Sequence, residues 1–303
     1  MSVMRFPGSM AIACASLLGL ASAALAAGTV ASGTDDAGRR QCQGCWQALA
    51  DDNEPDPNKS QYWTPVRQAM FGDREFLDGR DFLSLTVDMR AGDATAVPLS
   101  VKARIDQTPG QHIRHLFLVV ERNPSPAAGL FHFGPESGRV RLETRLRFEG
   151  FSHVRAIAEM NDGRLYMASR WVKAAGGCSA PGERNRIPPE LIGQMKFKFA
   201  DDTVEYHKPA LVQLMIRHPN ESALATDFDD TRVPRFVRSV KISFDGKPVM
   251  SGEVDFSISE NPSFRFFFTP TREGVLEAVV EDTHDQRYVH RMTITEGVPL
   301  PGG

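Results

Sequence analysis

From residue 83 onward, apolar side chains return at every second position in short bursts. Leu83, Leu85, Val87 and Met89 alternate with polar neighbours, as do Val97, Leu99, Val101, Ala103 and Ile105. The same period runs through Leu142, Thr144, Leu146 and Phe148, and through Val154, Ala156, Ala158 and Met160. A strand turns successive side chains to opposite faces, so the pattern predicts strands with one buried face. Asp162-Gly163 predicts a hairpin turn into a strand carrying Leu165, Met167 and Trp171. Past residue 192 the pattern resumes in "GQMKFKFADD", "ALVQLMIRHP", "RSVKISFDGKPV", "PSFRFFFT", "GVLEAVVED" and "RYVHRMTIT", with Asp245-Gly246 as a second hairpin turn. One stretch departs from it. "YWTPVRQAMFGD" predicts a short N-terminal helix, with Thr64 as its cap, Pro65 at the first helical position, and Trp63, Val66, Met70 and Phe71 roughly on one face. Repeated short strands without long helices between them predict an all-β chain of the β-sandwich type.

The alternation stops at "VKAAGGCSAPGERNRIPPE". Glycine loosens the backbone and proline cannot continue a ladder, so this stretch is expected to be a linker between two bodies. The expected organisation is a signal peptide at 1–26, a polar leader at 27–61, a sandwich at 62–175, a linker at 176–192 and a second sandwich at 193–303. Within the first segment, Arg5 supplies a positive start, Met10 to Leu20 an apolar core and Ala24-Leu25-Ala26 a small-x-small cleavage site. Too little apolar sequence precedes Cys14 for it to read well as a lipoprotein site. No later stretch approaches the ~20 apolar residues of a transmembrane helix. The expected product is exported, periplasmic and without a membrane span once the signal is removed.

Charge narrows the partners. The chain carries 35 Lys+Arg against 38 Asp+Glu, a net −3. Loss of Arg5 with the signal brings this to −4, which gives no long-range attraction for nucleic acid or an anionic membrane.

Four cysteines are present, and three remain after cleavage: Cys42, Cys45 and Cys178. An odd count in an oxidising compartment leaves one thiol free or committed to another chain. Cys42 and Cys45 close the shortest loop and are the expected disulfide, leaving Cys178 over. Gly176 and Gly177 before it and Ser179 and Ala180 after it offer no bulky shield, so the sulfur is expected to be accessible on a mobile arm. Three readings of it stand open: a carrier or reactive thiol, a dimer disulfide, or an inert cysteine. A cysteine hydrolase pairing Cys178 with His207 or His218 would need a histidine within hydrogen-bond reach. Trp46 follows the C-x-x-C where a c-type haem site would need histidine. His112 and His115 lie three apart on an apparent strand, where side chains face opposite sides, so no shared metal is expected. Arg217 and His218 are expected to order a turn or a domain interface. Arg184 and Arg186, and the carboxylates Glu260, Glu281 and Asp282, are expected to be solvated. No metal, cofactor or nucleotide-binding glycine loop is expected.

Several of these stretches carry a family resemblance. "GGC" closing a strand, and "AGDATAVPLSVKA" upstream, resemble SoxY, the thiol carrier subunit of the periplasmic sulfur-oxidation system. "VQLMIRHPNESA", "SISENPSFRFFF" and "VVEDTHDQRYVHRMTI" resemble its partner SoxZ. The likeness runs over about residues 62–300 and is that of a fused SoxYZ-like carrier, a type associated with quinoprotein dehydrogenases. It implies two packed immunoglobulin-like β-sandwich domains, no catalysis by the chain itself, and Cys178 as the covalent attachment point for sulfur intermediates of the thiosulfate oxidation type. The implied partners are sulfur-oxidation enzymes, or a c-type cytochrome of a quinoprotein dehydrogenase system. A docking or assembly module without covalent cargo is the alternative. SoxY ends near its cysteine, whereas here the chain continues through "SAPG" into the second domain.

Overall fold

The computed structural model describes residues 54–134, 137–182, 187–225 and 233–300. Residues 1–53, with the expected signal, Cys42 and Cys45, and also Arg184 and Arg186, lie outside the described residues. One helix, α1 (Trp63–Phe71), precedes the strands β1 (Phe76–Asp78), β2 (Leu83–Val87), β3 (Val97–Ala103), β4 (Ile113–Val120), β5 (Ala127–Phe133), β6 (Arg141–Leu146), β7 (Ser152–Met160) and β8 (Leu165–Val172). After the linker come β9 (Met195–Phe199), β10 (Ala210–Ile216), β11 (Val237–Phe244), β12 (Lys247–Val254), β13 (Ser263–Phe268), β14 (Gly274–Asp282) and β15 (Arg287–Ile294). The fold is all-β, as the alternation predicts.

The two halves share their sheets. One sheet runs β1-β8-β7-β4-β5-β12-β11-β14-β15 and the other β2-β3-β6-β13-β10-β9. The seam is therefore made of backbone ladders: β5 pairs with β12 from Phe133↔Met250 to Gly129↔Val254, and β6 meets β13 at Glu143↔Arg265. Inward residues from both sheets form one contiguous core that crosses the seam, with the Phe131 and Phe264 rings 6.0 Å apart and those of Phe244 and Phe268 5.0 Å apart. Strand parity alone does not reveal this edge-to-edge union, because each half alternates as a free-standing sandwich would.

Helix α1 covers the other face of the long sheet. Trp63 and Phe71 pack with Phe117, Val119, Ile157 and Leu165 in a second, smaller apolar cluster. Strands β4 and β7 are thus covered on both faces and read as near-continuous apolar runs. Beneath α1, the fully buried Arg155 donates to Glu121 Oε1 at 2.6 Å and to the Pro57 carbonyl at 2.6 Å, with its guanidinium 4.2 Å from the Trp63 ring. The helix departs from expectation at its start. Tyr62 holds the N-cap position without a side-chain cap bond, so Thr64 lies inside the first turn and Pro65 third in the helix. Proline is tolerated there because the first N–H groups have no intrahelical partner.

Candidate functional site

After β8 the chain does not leave the body. Lys173 N donates to Met89 O at 2.6 Å, Gly176 N to Glu149 O at 3.1 Å, and Gly177 N to Phe148 O at 2.9 Å. Gly177 runs so close to its neighbour that a Cβ there would stand 2.0 Å from the Ala94 carbonyl oxygen. Gly176 has φ +81°, the left-handed region that favours glycine. Residues 176–180 then turn back, with Ala180 N donating to Gly176 O at 2.9 Å.

The turn closes on one carboxylate. Glu149 Oε2 accepts from Cys178 N and Ser179 N, both at 3.0 Å, and Oε1 accepts from Ser179 Oγ at 2.9 Å. Cys178 is free of any disulfide and has no solvent-exposed surface. This corrects the expectation of an accessible sulfur. Small neighbours were read as openness, but they allow the backbone to pack closely enough to bury the thiol. The chain reaches the surface directly after it, with Ser179 and Ala180 part-exposed and Pro181 exposed.

The floor of the site comes from both halves. Arg147 is only 4% exposed and donates through Nη1 to the carbonyls of Phe256 (2.6 Å) and Ile258 (2.7 Å), with Nη2 3.8 Å from Glu260 Oε1. Asn123 Nδ2 donates to Arg147 O at 2.8 Å and to Ser257 Oγ at 3.0 Å, while its Oδ1 accepts from Glu149 N at 3.0 Å. Burial pushes the Cys178 thiol up to about 12; Arg147 opposes the rise, and Glu149 and Asp255 add to it. Asp255 is itself raised to about 6 by burial, against hydrogen bonds from Ser125, Ser257 and Phe256. Its Oδ1 has no hydrogen-bond partner among the described residues. In this closed form the sulfur is a neutral, shielded thiol.

Arg147, Glu149, Asn123 and Asp255 escaped the sequence reading. Arg147 and Glu149 fall on the outward parity of β6 and its extension, where a free sandwich would solvate them; the second half covers Arg147, and the arm at Cys178 and Ser179 covers Glu149. The other candidates sort as follows. His218 is fully buried, its Nδ1 accepting from Asn220 N at 3.0 Å and its Nε2 3.4 Å from Asp282 Oδ2. Asp282, expected to be solvated, is also fully buried and receives Arg235 Nε at 2.8 Å and Tyr288 OH at 3.0 Å. Burial alone would raise this carboxyl, but hydrogen bonds from His218, Arg235, Gln286 N and Tyr288 outweigh it and hold it well below the ordinary carboxylate range. Among the described residues no imidazole is hydrogen-bonded to Cys178. His115 Nδ1 lies 2.6 Å from Glu159 Oε2, whereas His112 Nδ1 lies 3.0 Å from Thr108 O, and no metal-binding group of His, Cys, Asp or Glu occurs among the described residues.

Comparison with known proteins matches two successive stretches of the chain to two families. Residues 67–178 match the family model of sulfur oxidation protein SoxY, and residues 198–293 match that of sulphur oxidation protein SoxZ. Among solved structures, the sulfur carrier protein SoxY from Chlorobium limicola f thiosulfatophilum is similar at 18% identity and TM-score 0.31, over 37% of this chain and 91% of that one. A superoxide reductase (neelaredoxin) from Ignicoccus hospitalis is similar at 16% identity and TM-score 0.28, over 31% and 80%. The fibronectin(III)-like modules of Clostridium thermocellum CbhA follow at 11% identity and TM-score 0.22, over 70% and 94%. No curated protein sequence matches the chain. With a SoxY domain and a SoxZ domain in succession on one polypeptide, the chain belongs to the SoxYZ-like sulfur carriers as a fusion of the two subunits.

Proposed function

We propose that this chain is a non-catalytic carrier of the periplasm, exported by residues 1–26, that holds a sulfur intermediate covalently on Cys178. One observation carries the reading: the SoxY match ends on Cys178 itself, the free thiol at the close of that domain. Loading with thiosulfate forms a bond between the cysteine sulfur and the sulfane sulfur. The thiol proton is released, and two electrons pass one at a time to two ferric haems of a c-type cytochrome, or to two such cytochromes in turn, leaving a cysteine S-thiosulfonate. Sulfur-oxidation enzymes then act on the attached group, and the cytochrome of a quinoprotein dehydrogenase system is the partner the fused arrangement favours. The buried thiol fits a resting state in which the cover of residues 176–182 lies down on Glu149 and lifts for loading. Cys42 and Cys45 would form a separate disulfide.

Intact-mass spectrometry of the mature chain, incubated with thiosulfate and the cognate oxidised cytochrome, tests this. An adduct is expected on the wild type and none on Cys178→Ser. An unmodified wild type in an assay where the cytochrome is reduced would refute covalent carriage and favour a docking role.

A further inference from the structure

Helix α1 packs on the outer face of the long sheet. The outer face of the short sheet instead bears an open groove of about 910 Å³. Ladder register places its walls. Pro98 of β3 lies opposite Arg145 of β6, Ser263 of β13 opposite Met215 of β10, and Met215 opposite Lys196 of β9. All five line the groove, which therefore crosses the seam between β6 and β13. Arg145 and Asn261 also line the smaller cavity that Gly177 and Ala180 border, so a protein seated in the groove stands beside the Cys178 arm.

The groove is basic on an acidic chain. Arg145, Lys196, Arg217 and Arg265 line it against Asp88 and Glu143, whereas the whole chain is net −3. Glu143 is already engaged by Arg141 and Arg265. Arg145, Lys196 and Arg217 form no ion pair among the described residues; Lys196 and Arg217 are exposed, and Arg145 Nη2 donates to the carbonyls of Asn261 (2.9 Å) and Glu260 (3.4 Å). Carbonyls position a guanidinium without neutralising it. From β6 to β9 the uncompensated charges span three strand spacings, about 14 Å. A small anion cannot bridge that distance, but a short extended segment carrying several carboxylates can. Part-exposed Met195 and Met215 add flexible apolar surface between the charges, suited to adapting to a partner.

We propose that this groove docks an acidic segment of the c-type cytochrome that loads Cys178, its carboxylates meeting Arg145, Lys196 and Arg217. The inference rests on the carrier reading of Cys178 and adds the face by which the partner is held.

Cytochrome-dependent loading of the full-length mature chain with thiosulfate, timed by intact mass at about 20 mM and about 500 mM salt, tests it. Lys196→Glu/Arg217→Glu is expected to load about tenfold or more slower than wild type at low salt and within about twofold of it at high salt, because rim charges act on the encounter rate and are screened. Lys241→Glu/Arg287→Glu makes the same change in net charge at exposed positions of β11 and β15, and is expected to load like wild type. Circular dichroism checks that each variant is folded. Each is also treated with tetrathionate: the cysteine thiolate attacks a divalent sulfur, a new S–S bond forms as an old one breaks, and thiosulfate leaves. That reaction needs no docked protein, so equal rates are expected for all three chains.

Unchanged cytochrome-dependent loading of Lys196→Glu/Arg217→Glu at low salt, or slowing matched by the β11/β15 variant, overturns the docking face and leaves the carrier reading standing. Equal slowing with tetrathionate overturns it too, since the charges then act on the arm or on small anions. A wild-type dimer in light scattering that the groove variant dissociates assigns the groove to a second copy instead. Wild type modified by tetrathionate but never loaded by the cytochrome counts against the carrier reading, and the docking face falls with it.

Discussion

The latch on Glu149 makes a quantitative claim about how often Cys178 is reachable. In the closed form the thiol is pushed up to about 12. At pH 8 roughly one molecule in ten thousand is then thiolate, against about one in ten for a thiol near 9, so closure suppresses reactivity by about a thousandfold before shielding is counted. Reaction therefore runs through the open arm. Glu149→Ala removes the acceptor of three bonds, from Cys178 N, Ser179 N and Ser179 Oγ. Hydrogen bonds to a charged group contribute about 1.5–3 kcal/mol each when buried. Glu149 is half-buried and the freed N–H groups meet water on opening, so the three together are worth about 3 kcal/mol rather than the full sum. That is on the order of a hundredfold in the open population. The assay is the rate of iodoacetamide alkylation of Cys178 at pH 8, followed by intact mass under native conditions. A folded Glu149→Ala alkylated on the order of a hundredfold faster than wild type is expected, with Glu149→Gln between them. Equal rates would show that the latch does not control exposure.

Three further outcomes follow from particular contacts. Gly177→Ala places a methyl group 2.0 Å from the Ala94 carbonyl oxygen, so the arm must shift and alkylation of Cys178 is expected to rise at least about tenfold in the same assay. Asp255 is raised to about 6, so the stability of the neutral carboxyl is fully present below its ordinary value near 4 and is lost as pH climbs to about 6. Asp255→Asn is therefore expected to gain stability over wild type across that window, by about 2–3 kcal/mol, and to hold the gain above it; urea unfolding at pH 4, 6 and 8 reads this. Asp282 is lowered, so its contribution is present above the ordinary carboxylate range and disappears as pH falls through it. Asp282→Asn is expected to cost about 3 kcal/mol at pH 7 and progressively less in acid, measured in the same urea series.

Alternation along single strands was legible because one face of each meets the shared core: β2, β3, β6 and β7 fall where the parity placed them. Strand β8 instead turns Tyr166, Ala168 and Val172 to that core and sends Leu165 and Met167, expected inward with Trp171, to the cluster under α1. Strands β4 and β5 were harder to read. Leu116 to Val120 are buried without a break, since α1 covers their outer side, and an unbroken apolar run does not distinguish strand from helix. The seam was invisible for a different reason. A ladder such as that of β5 and β12 is made of backbone groups, which any residue supplies, so nothing in the side chains announces it. Of the buried charges, Arg147 followed from the seam, whereas Asp282 is enclosed within the second half by His218, Arg235 and Tyr288. Arg147 and Asp282 are charged and near strand ends, which normally means solvated, and only coverage by segments distant in sequence reverses that. Cys178 was located correctly as an unpaired sulfur at a domain boundary, yet its exposure was misjudged, because glycine serves tight packing as readily as it serves freedom.

The continuation of the chain beyond Cys178 changes the shape of the arm more than its length. Cys178 lies six positions beyond Val172, the last of β8, so the sulfur can travel at most about 20 Å from that anchor when the segment is extended. A SoxY arm with a free end and the same short segment would meet the same limit. On the other side, Met195 at the start of β9 lies seventeen positions further on, ample for an excursion of that size. The short tether therefore sets the reach and the second tether does not reduce it. What the second tether adds is width, because two chain segments must enter any partner site together as a loop where a free terminus would enter as one. A partner serving this carrier is accordingly expected to present a shallow or open cleft. The surface position of Ser179 to Gly182, which follow Cys178 directly, is the matching property on this side. Shortening residues 179–186 by deletion is expected to slow loading only when the remaining segment can no longer follow the shorter side outward. Removal of even one residue between Val172 and Cys178 is expected to cut loading by any partner that must reach the sulfur at full extension. Comparable losses from one-residue deletions on both sides, in the cytochrome-dependent mass assay, would refute control by the short tether.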